Sequence, residues 1–542
     1  MQVQAYHWPK NQSISEDYLT HFTKVSALFE YNPQEEQSWI RRAHWLDQST
    51  RPSADRERVV ECLTRYNEHI GNTSETIGSI SKLLQPETLV IVGGQQTGLF
   101  GGPLLVIYKA ITLIQAAKDA SIRLKRTVLP LFWMAGEDHD FAEVNHIHIL
   151  NPQADIDIIK IESTTEVRTS VSRMQIDQWE QAIKQLGDTL QQTEFKAMLL
   201  DKLSEIGKDS QSLVDFFGKW MVWLFGEHGL ILLNSDDVEL RKCEGAMFLR
   251  FLEEQQPLNQ ALYEAAEKIT NSGYVVQAEL TANNANLFVF MEDGERVLLQ
   301  WDGELFSDKK KERMFSKEQL AEWLIDTPER FSNNVMTRPL MQDYLFPVLG
   351  TVLGSSEIAY WALTRSAFET FGMQMPILLP RLEFTLIEGT TKKHMDKYGL
   401  SFETAVGDYE SWKRNWLAEQ DELGLEASFA VVKEQFANSY DPLLKTIAGI
   451  NLGLLKLGET NKQKIIEQIQ FLEARAVEAN LAQFEAALRQ LGKIRLLLLP
   501  FGKPQERVYN MIAYLNKYGT GLTQQLIELP YEITGIHRIV YL

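Results

Sequence analysis

Cysteine is nearly absent: Cys62 and Cys243 are the only two in 542 residues. Two distant cysteines make neither a disulfide framework nor a CxxC metal knuckle. The expectation is a cytoplasmic chain, kept in a reducing compartment. No uncharged apolar run is long enough to span a bilayer, and the N-terminus "MQVQAYHWPKNQS" has no apolar signal core. Positive charge is also scarce, with 54 Lys and Arg against 73 Asp and Glu and a formal net charge of −19. Such a surface repels nucleic-acid phosphates and anionic membranes, so neither nucleic acid nor membrane is expected as a partner. Proline all but vanishes between 390 and 499, where Pro442 stands alone. Internal repeats and low-complexity tracts are missing too.

What is there describes a large globular protein, 44% apolar and 23% charged. At roughly 150 residues per domain its length suggests three or four units, or one elaborated core. Residues 15–85 read as helices with polar connectors. "ETLVIVGG" reads as a buried strand, "GPLLVIYKAITLIQAAKDA" as a helix with Pro103 near its first turn, and "TVLPLFWMAG" as a second buried strand. That order predicts a βαβ unit in a parallel sheet, an α/β fold. "VDFFGKWMVWLFGEHGLILLNSDD" predicts a helix, a turn and a strand ending at Asn234. "AELTANNANLFVFMEDGERVLLQWDGELF" alternates like an antiparallel meander inserted in the core. "MPILLPRLEFTLIE" returns to core-like strand sequence. "KPQERVYNMIAYLNKYG" predicts an amphipathic helix, and "HRIVYL" a closing strand. In 390–499, Val477, Leu481, Phe484, Leu488 and Leu491 recur at a 4-3-4-3 spacing, as do Ile465, Ile469, Leu472 and Ala476 at 4-3-4. Such seams predict a helical hairpin or coiled coil.

Two stretches carry chemistry. "VGGQQTGLFGGPLLVIYKA" packs Gly93, Gly94, Gly98, Gly101 and Gly102 into ten residues between strand and helix. Glycines let backbone N–H groups approach a ligand, and a helix N-terminus suits an anion. Gln95, Gln96 and Thr97 add polar contacts, and Lys109 sits about two turns into the helix. The pattern is neither GxxxxGK[ST] nor a clean GxGxxG, and a tight packing turn explains it as well. After the second strand, "LFWMAGEDHDFAEVNH" sets Glu137, Asp138, His139 and Asp140 in a row, with Glu143, Asn145, His146 and His148 behind. Like charges held close raise one another's pKa, which suits an acid/base pair. His139 is the general-base candidate because its ordinary pKa lies near neutrality. Two other readings stand beside it. Asp138, His139, Asp140 and His146 match a divalent-metal set, and Asp140 with Glu143 matches a capping-box-like helix start. "TRPLMQDY" offers Arg338, Gln342 and Asp343; "SSEIAYW" offers Ser355, Ser356, Glu357, Tyr360 and Trp361; "LPRLEF" offers Arg381. Two arginines suit a dicarboxylate. "NSDD", Asn234 to Asp237, closes another strand and reads equally well as a turn.

The words "IVGGQQTGLFGGPL", "FWMAGEDHDFAEVN", "ERFSNNVMTRPLMQ", "MPILLPR" and "QERVYNMIAYLNKYG" together resemble the bacillithiol biosynthesis cysteine-adding enzyme family, nearly end to end. The resemblance implies a Rossmann-like core related to class I aminoacyl-tRNA synthetases, with two connective insertions and a dimerising coiled coil. It implies addition of cysteine to glucosaminyl malate, the last step to bacillithiol. The synthetase signatures are not here. "GGPLLVIYKA" stands where HIGH belongs, "HIHI" at 146–149 lies after the second strand, and in "MFSKE" Ser316 with Gln319 reads as a helix cap rather than KMSKS. Ordinary adenylation by ATP therefore does not follow, yet an amide does not form appreciably from a free acid and amine in water.

The expected layout is 1–150, first part of the core with N-terminal helices; 151–330, insertions; 331–389, second part of the core; 390–499, helical arm; 500–542, a segment packing on the core. The expected enzyme is a ligase in which the glucosamine amine attacks an activated cysteine carboxyl. His139, helped by Asp138 or Glu137 and flanked by Asp140, would take the amine proton. The backbone from Gly94 to Gly102 and Lys109 would hold the activating phosphate or the oxyanion. Arg338 and Arg381 would grip malate, with Gln95, Gln96, Asn145, Gln342, Glu357 and Tyr360 on the rim. ATP or another nucleotide is the expected activator, no metal is expected, and the arm is expected to make a homodimer. The alternatives are a non-catalytic nucleotide- or cysteine-binding scaffold and a metal-dependent hydrolase.

Overall fold

A five-stranded parallel sheet organises the first of two compact units, Met1–Leu386 with Gln505–Val540. The structure, a computed structural model, describes residues 1–165, 167–420 and 424–542; the side chain of Leu481, one member of the expected seam, also lies outside the description. The strands are β1 (Leu89–Gln95), β2 (Val128–Met134), β3 (Ile231–Asn234), β4 (Val348–Leu353) and β5 (Ile377–Pro380). Their spatial order is β5-β4-β1-β2-β3. Every pairing is parallel, with Val92 opposite Leu131 and Thr351, Leu131 opposite Ile231, and Thr351 opposite Leu378. The strands are buried almost throughout, as their uninterrupted apolar runs require of strands covered on both faces.

Helix α1 (Leu104–Leu124) links β1 to β2. It is buried over most of its length, stops at Lys125 in the left-handed region (φ 53°), and carries one fully buried charge, Lys109. Between β2 and β3 come a short antiparallel pair, His146–Leu150 with Ile156–Lys160, and helices ending in α2 (Leu213–Phe225). "HIHI" is thus a strand. After β3 comes α3 (Val238–Glu253), packed on the helix Arg56–His69. The predicted meander follows, with Arg296–Trp301 paired to Asn284–Phe290, which pairs with Phe331–Asn333. Ser316 caps the helix Lys317–Asp326, its Oγ accepting from Gln319 N at 3.2 Å. Helices α4 (Arg338–Leu345) and α5 (Ser355–Trp361) flank β4.

Two local expectations need correction. "QERVYNMIAYLNKYG" is not one helix: helix proper begins at Ile512, whose N–H is capped by Asn510 Oδ1 at 2.8 Å. Tyr509 and Asn510 instead turn to backbone of 100–104, as described below. The capping box at Asp140 is also absent. Phe141–Val144 makes a single turn with no side-chain cap from Asp140, and Glu143 accepts from Gln96 Nε2 at 3.0 Å.

The second unit, Ile387–Pro504 with Tyr541–Leu542, is helical. Helices α6 (Leu425–Ala448) and α7 (Leu452–Gln483) form an antiparallel hairpin tied by Lys433–Glu473 (2.7 Å), Tyr440–Asn461 (2.6 Å) and Lys462–Asp441. The seam expected to run from Val477 to Leu491 is broken at Phe484. The chain leaves helical geometry there, at φ −98° and ψ 6°, before α8 (Glu485–Leu498). Phe484 meets the Trp416 ring edge-on, and Leu491 is buried. No helix among the described residues is long and apolar enough to cross a membrane.

Candidate active site

Neighbouring strands β1 and β4 feed opposite wings of the sheet, so the cleft beyond their carboxyl ends is its topological switch point, where open parallel sheets bind ligands. Lys109 lies across that point. Its Nζ donates to Gly94 O at the end of β1 and to Glu357 Oε2 on α5, each at 2.7 Å. The same Glu357 oxygen accepts Gly354 N at 2.6 Å. Burial pulls the Lys109 pKa down while Glu357 opposes the shift. The hydroxyls of Thr97, after β1, and Ser355, opening α5, are buried without a hydrogen-bond partner. Unpartnered buried hydroxyls at the carboxyl ends of the strands are available to a ligand.

The glycine turn does not fit the phosphate cradle expected of it. It folds on itself, Gly101 N bonding Gly98 O at 3.0 Å and Gly102 N bonding Leu99 O at 2.8 Å. At the N-terminus of α1 the first N–H is taken, Leu104 N donating to Tyr509 O at 2.8 Å, and Asn510 Nδ2 ties down the carbonyls of the turn, donating to Gly102 O at 2.6 Å and Phe100 O at 3.1 Å. The glycines answer to packing. A Cβ on Gly98 would fall 2.6 Å from Gly102 Cα, and one on Gly101, at φ +90°, would fall 2.7 Å from Trp220 Nε1.

The acidic turn after β2 is neutralised by arginines. Glu137, fully buried, accepts Arg241 Nη2 at 2.5 Å and Arg338 Nε at 3.2 Å; Asp138 accepts Arg338 Nη2 at 3.2 Å. Burial pushes the Glu137 carboxyl up, but Arg241, Arg338 and Arg296 together outweigh it and hold it below the usual carboxylate range. Arg241 also donates to Glu244 at 2.9 Å, and burial lifts that carboxyl to about 8.

His139 lies between two more arginines. Arg296 donates from Nη1 to His139 Nδ1 at 3.1 Å, and Arg168 Nη2 meets Nε2. Arg296 is fixed: its Nε bonds Ser332 Oγ at 2.9 Å, its Nη2 bonds Asn333 O at 2.8 Å, and its guanidinium lies 3.8 Å over the Phe288 ring. Burial draws even this guanidinium down to about 10. Burial, then Arg296 and Arg168, hold the His139 pKa below its ordinary 6.5. A neutral imidazole has one lone pair and one N–H. Both guanidiniums can only donate, so a neutral ring can accept from one of them; with the bond from anchored Arg296 kept and Arg168 turned away, the proton goes to Nε2, on the side of Asp140 Oδ1 at 3.6 Å. His139 is therefore set up as a hydrogen-bond donor, an obstacle to the expected general-base role. Exposed Arg168 is the contact free to turn away.

Of the other expected residues, Gln96 and Tyr360 adjoin this cluster and the rest are engaged elsewhere. Arg381 is buried and bidentate on Glu506, at 2.5 and 3.0 Å, so its guanidinium is already engaged and no carboxylate grip remains. Asn145 is buried in the hairpin, donating to Ile161 O at 3.0 Å. Gln342 is buried in α4, and Asp343 pairs with Arg42 at 2.5 Å. Asp236 accepts Ser170 Oγ at 2.6 Å and Arg173 Nε at 3.0 Å. Gln95 ends β1, its carbonyl accepting Ala135 N at 3.0 Å, and Gln96 joins the two turns through Glu143. Tyr360 lies on α5, its hydroxyl pKa raised by burial and then by Glu357. A metal reading has no support in the donor set. Asp138 and His139 face guanidiniums, and no group of three or more His, Cys, Asp or Glu suited to a metal occurs among the described residues.

Arg168, Arg241, Arg296 and Glu244 escaped the sequence reading. A signal existed for two of them. Arg241 and Glu244 fall on the stripe of α3 that also carries Leu240, Met247 and Phe251, and charges on an apolar stripe are seldom buried unless paired.

A doubly wound parallel sheet with a charged, partly buried constellation at its switch point defines a Rossmann-like enzyme core. Residues 1–382 match the family described as bacillithiol biosynthesis BshC, N-terminal Rossmann-like domain, and residues 384–542 match its C-terminal coiled-coil domain. Over their full lengths, the chain is 35% identical to a protein of Geobacillus sp. (strain WCH70) and 34% identical to one of Geobacillus kaustophilus (strain HTA426). It is 33% identical to one of Symbiobacterium thermophilum over 97% of each chain, and all three carry the name "Putative cysteine ligase BshC". The chain belongs to the bacillithiol biosynthesis BshC family.

Proposed function

We propose that this chain is a ligase that joins the carboxyl of cysteine to the amine of glucosaminyl malate, forming bacillithiol. The observation that carries the reading is His139, whose pKa burial and then the anchored Arg296 hold below its ordinary value, beside the Asp138–Arg338 pair. In this mechanism the amine attacks an activated cysteinyl carbonyl, and the tetrahedral intermediate collapses by breaking the bond from the carbonyl carbon to the activating group, which leaves with the electron pair. Asp138, the more open of the two acidic residues on Arg338, accepts the amine proton. The Nε2–H of His139 donates to the oxyanion that develops on the carbonyl oxygen. Arg338 and Arg168 take the malate carboxylates, in place of the buried Arg381. The Lys109–Glu357 pair sets the floor of the cleft, with Thr97 and Ser355 offering hydroxyls. A nucleotide such as ATP is the proposed activator. The glycine turn does not fit its phosphates, and no step is assigned to it.

The wider reading is a cytoplasmic homodimer joined through the helical arm. In support, the α6–α7 hairpin leaves Leu452, Leu457, Phe471 and Leu472 more than half exposed, at 77, 66, 58 and 60%.

The test is turnover by purified protein supplied with cysteine, glucosaminyl malate and a panel of nucleoside triphosphates, read by mass spectrometry. Bacillithiol should form with wild type and fall sharply with His139→Ala. No product under any nucleotide, or equal product from the variant, overturns the reading.

A further inference from the structure

The only two cysteines of the chain face one another. Cys62, on the helix Arg56–His69, and Cys243, on α3, lie 181 positions apart in sequence, and their sulfurs are 3.9 Å apart. A residue touches on the order of ten others, so two cysteines placed at random in a chain this long meet with a chance of roughly one in fifty. Both residues are half-buried and carry free thiols. The Cys62 thiol is pulled below its ordinary range first by its hydrogen bond with Cys243, against burial, Asp237 and Glu239 and with Arg65 assisting, while the same pairing and burial push the Cys243 thiol well up, which suits it to the second, resolving role. A lowered thiol pKa marks the attacking partner in exchange chemistry.

We infer that Cys62 and Cys243 form a reversible thiol–disulfide site for low-molecular-weight disulfides. Cys62 thiolate attacks one sulfur of the disulfide R–S–S–R, whose S–S bond breaks and releases one R–S⁻. Cys243 then gives up its proton and attacks Cys62 Sγ, closing the intramolecular bond and releasing the second R–S⁻. The protein dithiol is oxidised by two electrons, and R–S–S–R is reduced to two R–SH. A disulfide bond of about 2.0 Å needs the sulfurs to approach by roughly 2 Å, within reach of side-chain rotation and a small helix shift. The bond would staple α3, the helix that carries Arg241 and Glu244, to the helix Arg56–His69. The inference is independent of the ligase reading.

The native full-length protein is incubated with oxidised glutathione, quenched in acid, unfolded and alkylated with iodoacetamide. Before treatment two alkylations are expected. After treatment none should remain, a single cross-linked peptide pair should contain Cys62 and Cys243, and dithiothreitol should restore both thiols. In Cys62→Ser the internal cross-link should vanish. Two alkylations persisting in treated wild type, separate glutathione adducts on each cysteine, or a cross-link found between two chains would overturn the proposal.

Discussion

Arg296 Nη1 lies 3.1 Å from His139 Nδ1, joining a strand of the inserted meander to the acidic turn of the core sheet. The insertion thereby holds one ring nitrogen of a residue it does not carry.

The first prediction reads the His139 tautomer. Ring-nitrogen NMR should show His139 protonated at Nε2 and free of a proton at Nδ1. Its pKa should lie below the ordinary 6.5, and Arg296→Met should raise it. The folded site refuses a proton that the unfolded chain accepts, so this residue costs stability as pH falls below about 6.5. That loss should shrink in the variant. A His139 that titrates normally in wild type contradicts the lowered pKa, and a proton found on Nδ1 contradicts the tautomer.

The second prediction concerns catalysis. Removing an oxyanion donor from a preorganised site lowers kcat by about 10²–10³. His139→Ala should do so with little change in KM, while Asp138→Asn should slow the chemical step by about 10²–10⁴. Steady-state kinetics on folded variants checks both.

The third prediction separates two arginines. Arg338 is partly open beside the catalytic turn, and Arg381 is buried on Glu506. Arg338→Ala should raise KM for glucosaminyl malate by about ten- to a hundredfold, the worth of a charged hydrogen bond. Arg381→Ala should instead destabilise the core by about 3–5 kcal/mol, because it strands a buried carboxylate. Its protein that remains folded should keep its KM. Urea unfolding paired with kinetics distinguishes them.

A fourth prediction tests the arm. Phe471→Asp with Leu472→Asp places two charges in the exposed apolar surface of α7. Light scattering should report a folded monomer where wild type is a dimer. A variant that stays dimeric puts the interface elsewhere.

The strands and the helical arm were legible because their signals are local. Uninterrupted apolar runs such as "LVIVGG" and "PLFWM" announce strands buried on both faces, and the long charged stretch with Pro442 alone announces helices. The acidic turn was legible as a site for the same reason. Its partners were not. Arg296 and Arg241 reach it from 157 and 104 residues away, distances that no periodicity encodes. The glycine turn misled because glycine serves both close packing and ligand approach. Only the Trp220 contact and the Tyr509 carbonyl on Leu104 show which applies. Arg381 misled likewise, since its partner Glu506 lies 125 residues on. The seam failed at Phe484 because a heptad count cannot register one residue leaving helical geometry.

The central claim is that glucosaminyl malate is held at the switch point, with its amine at the acidic turn. A crystal structure with that substrate bound tests it most directly. The account predicts the amine nitrogen within hydrogen-bond distance of Asp138, a malate carboxylate on Arg338, and Arg168 turned away from His139. Substrate bound elsewhere, or malate seated on Arg381 with the Glu506 pair broken, would contradict it.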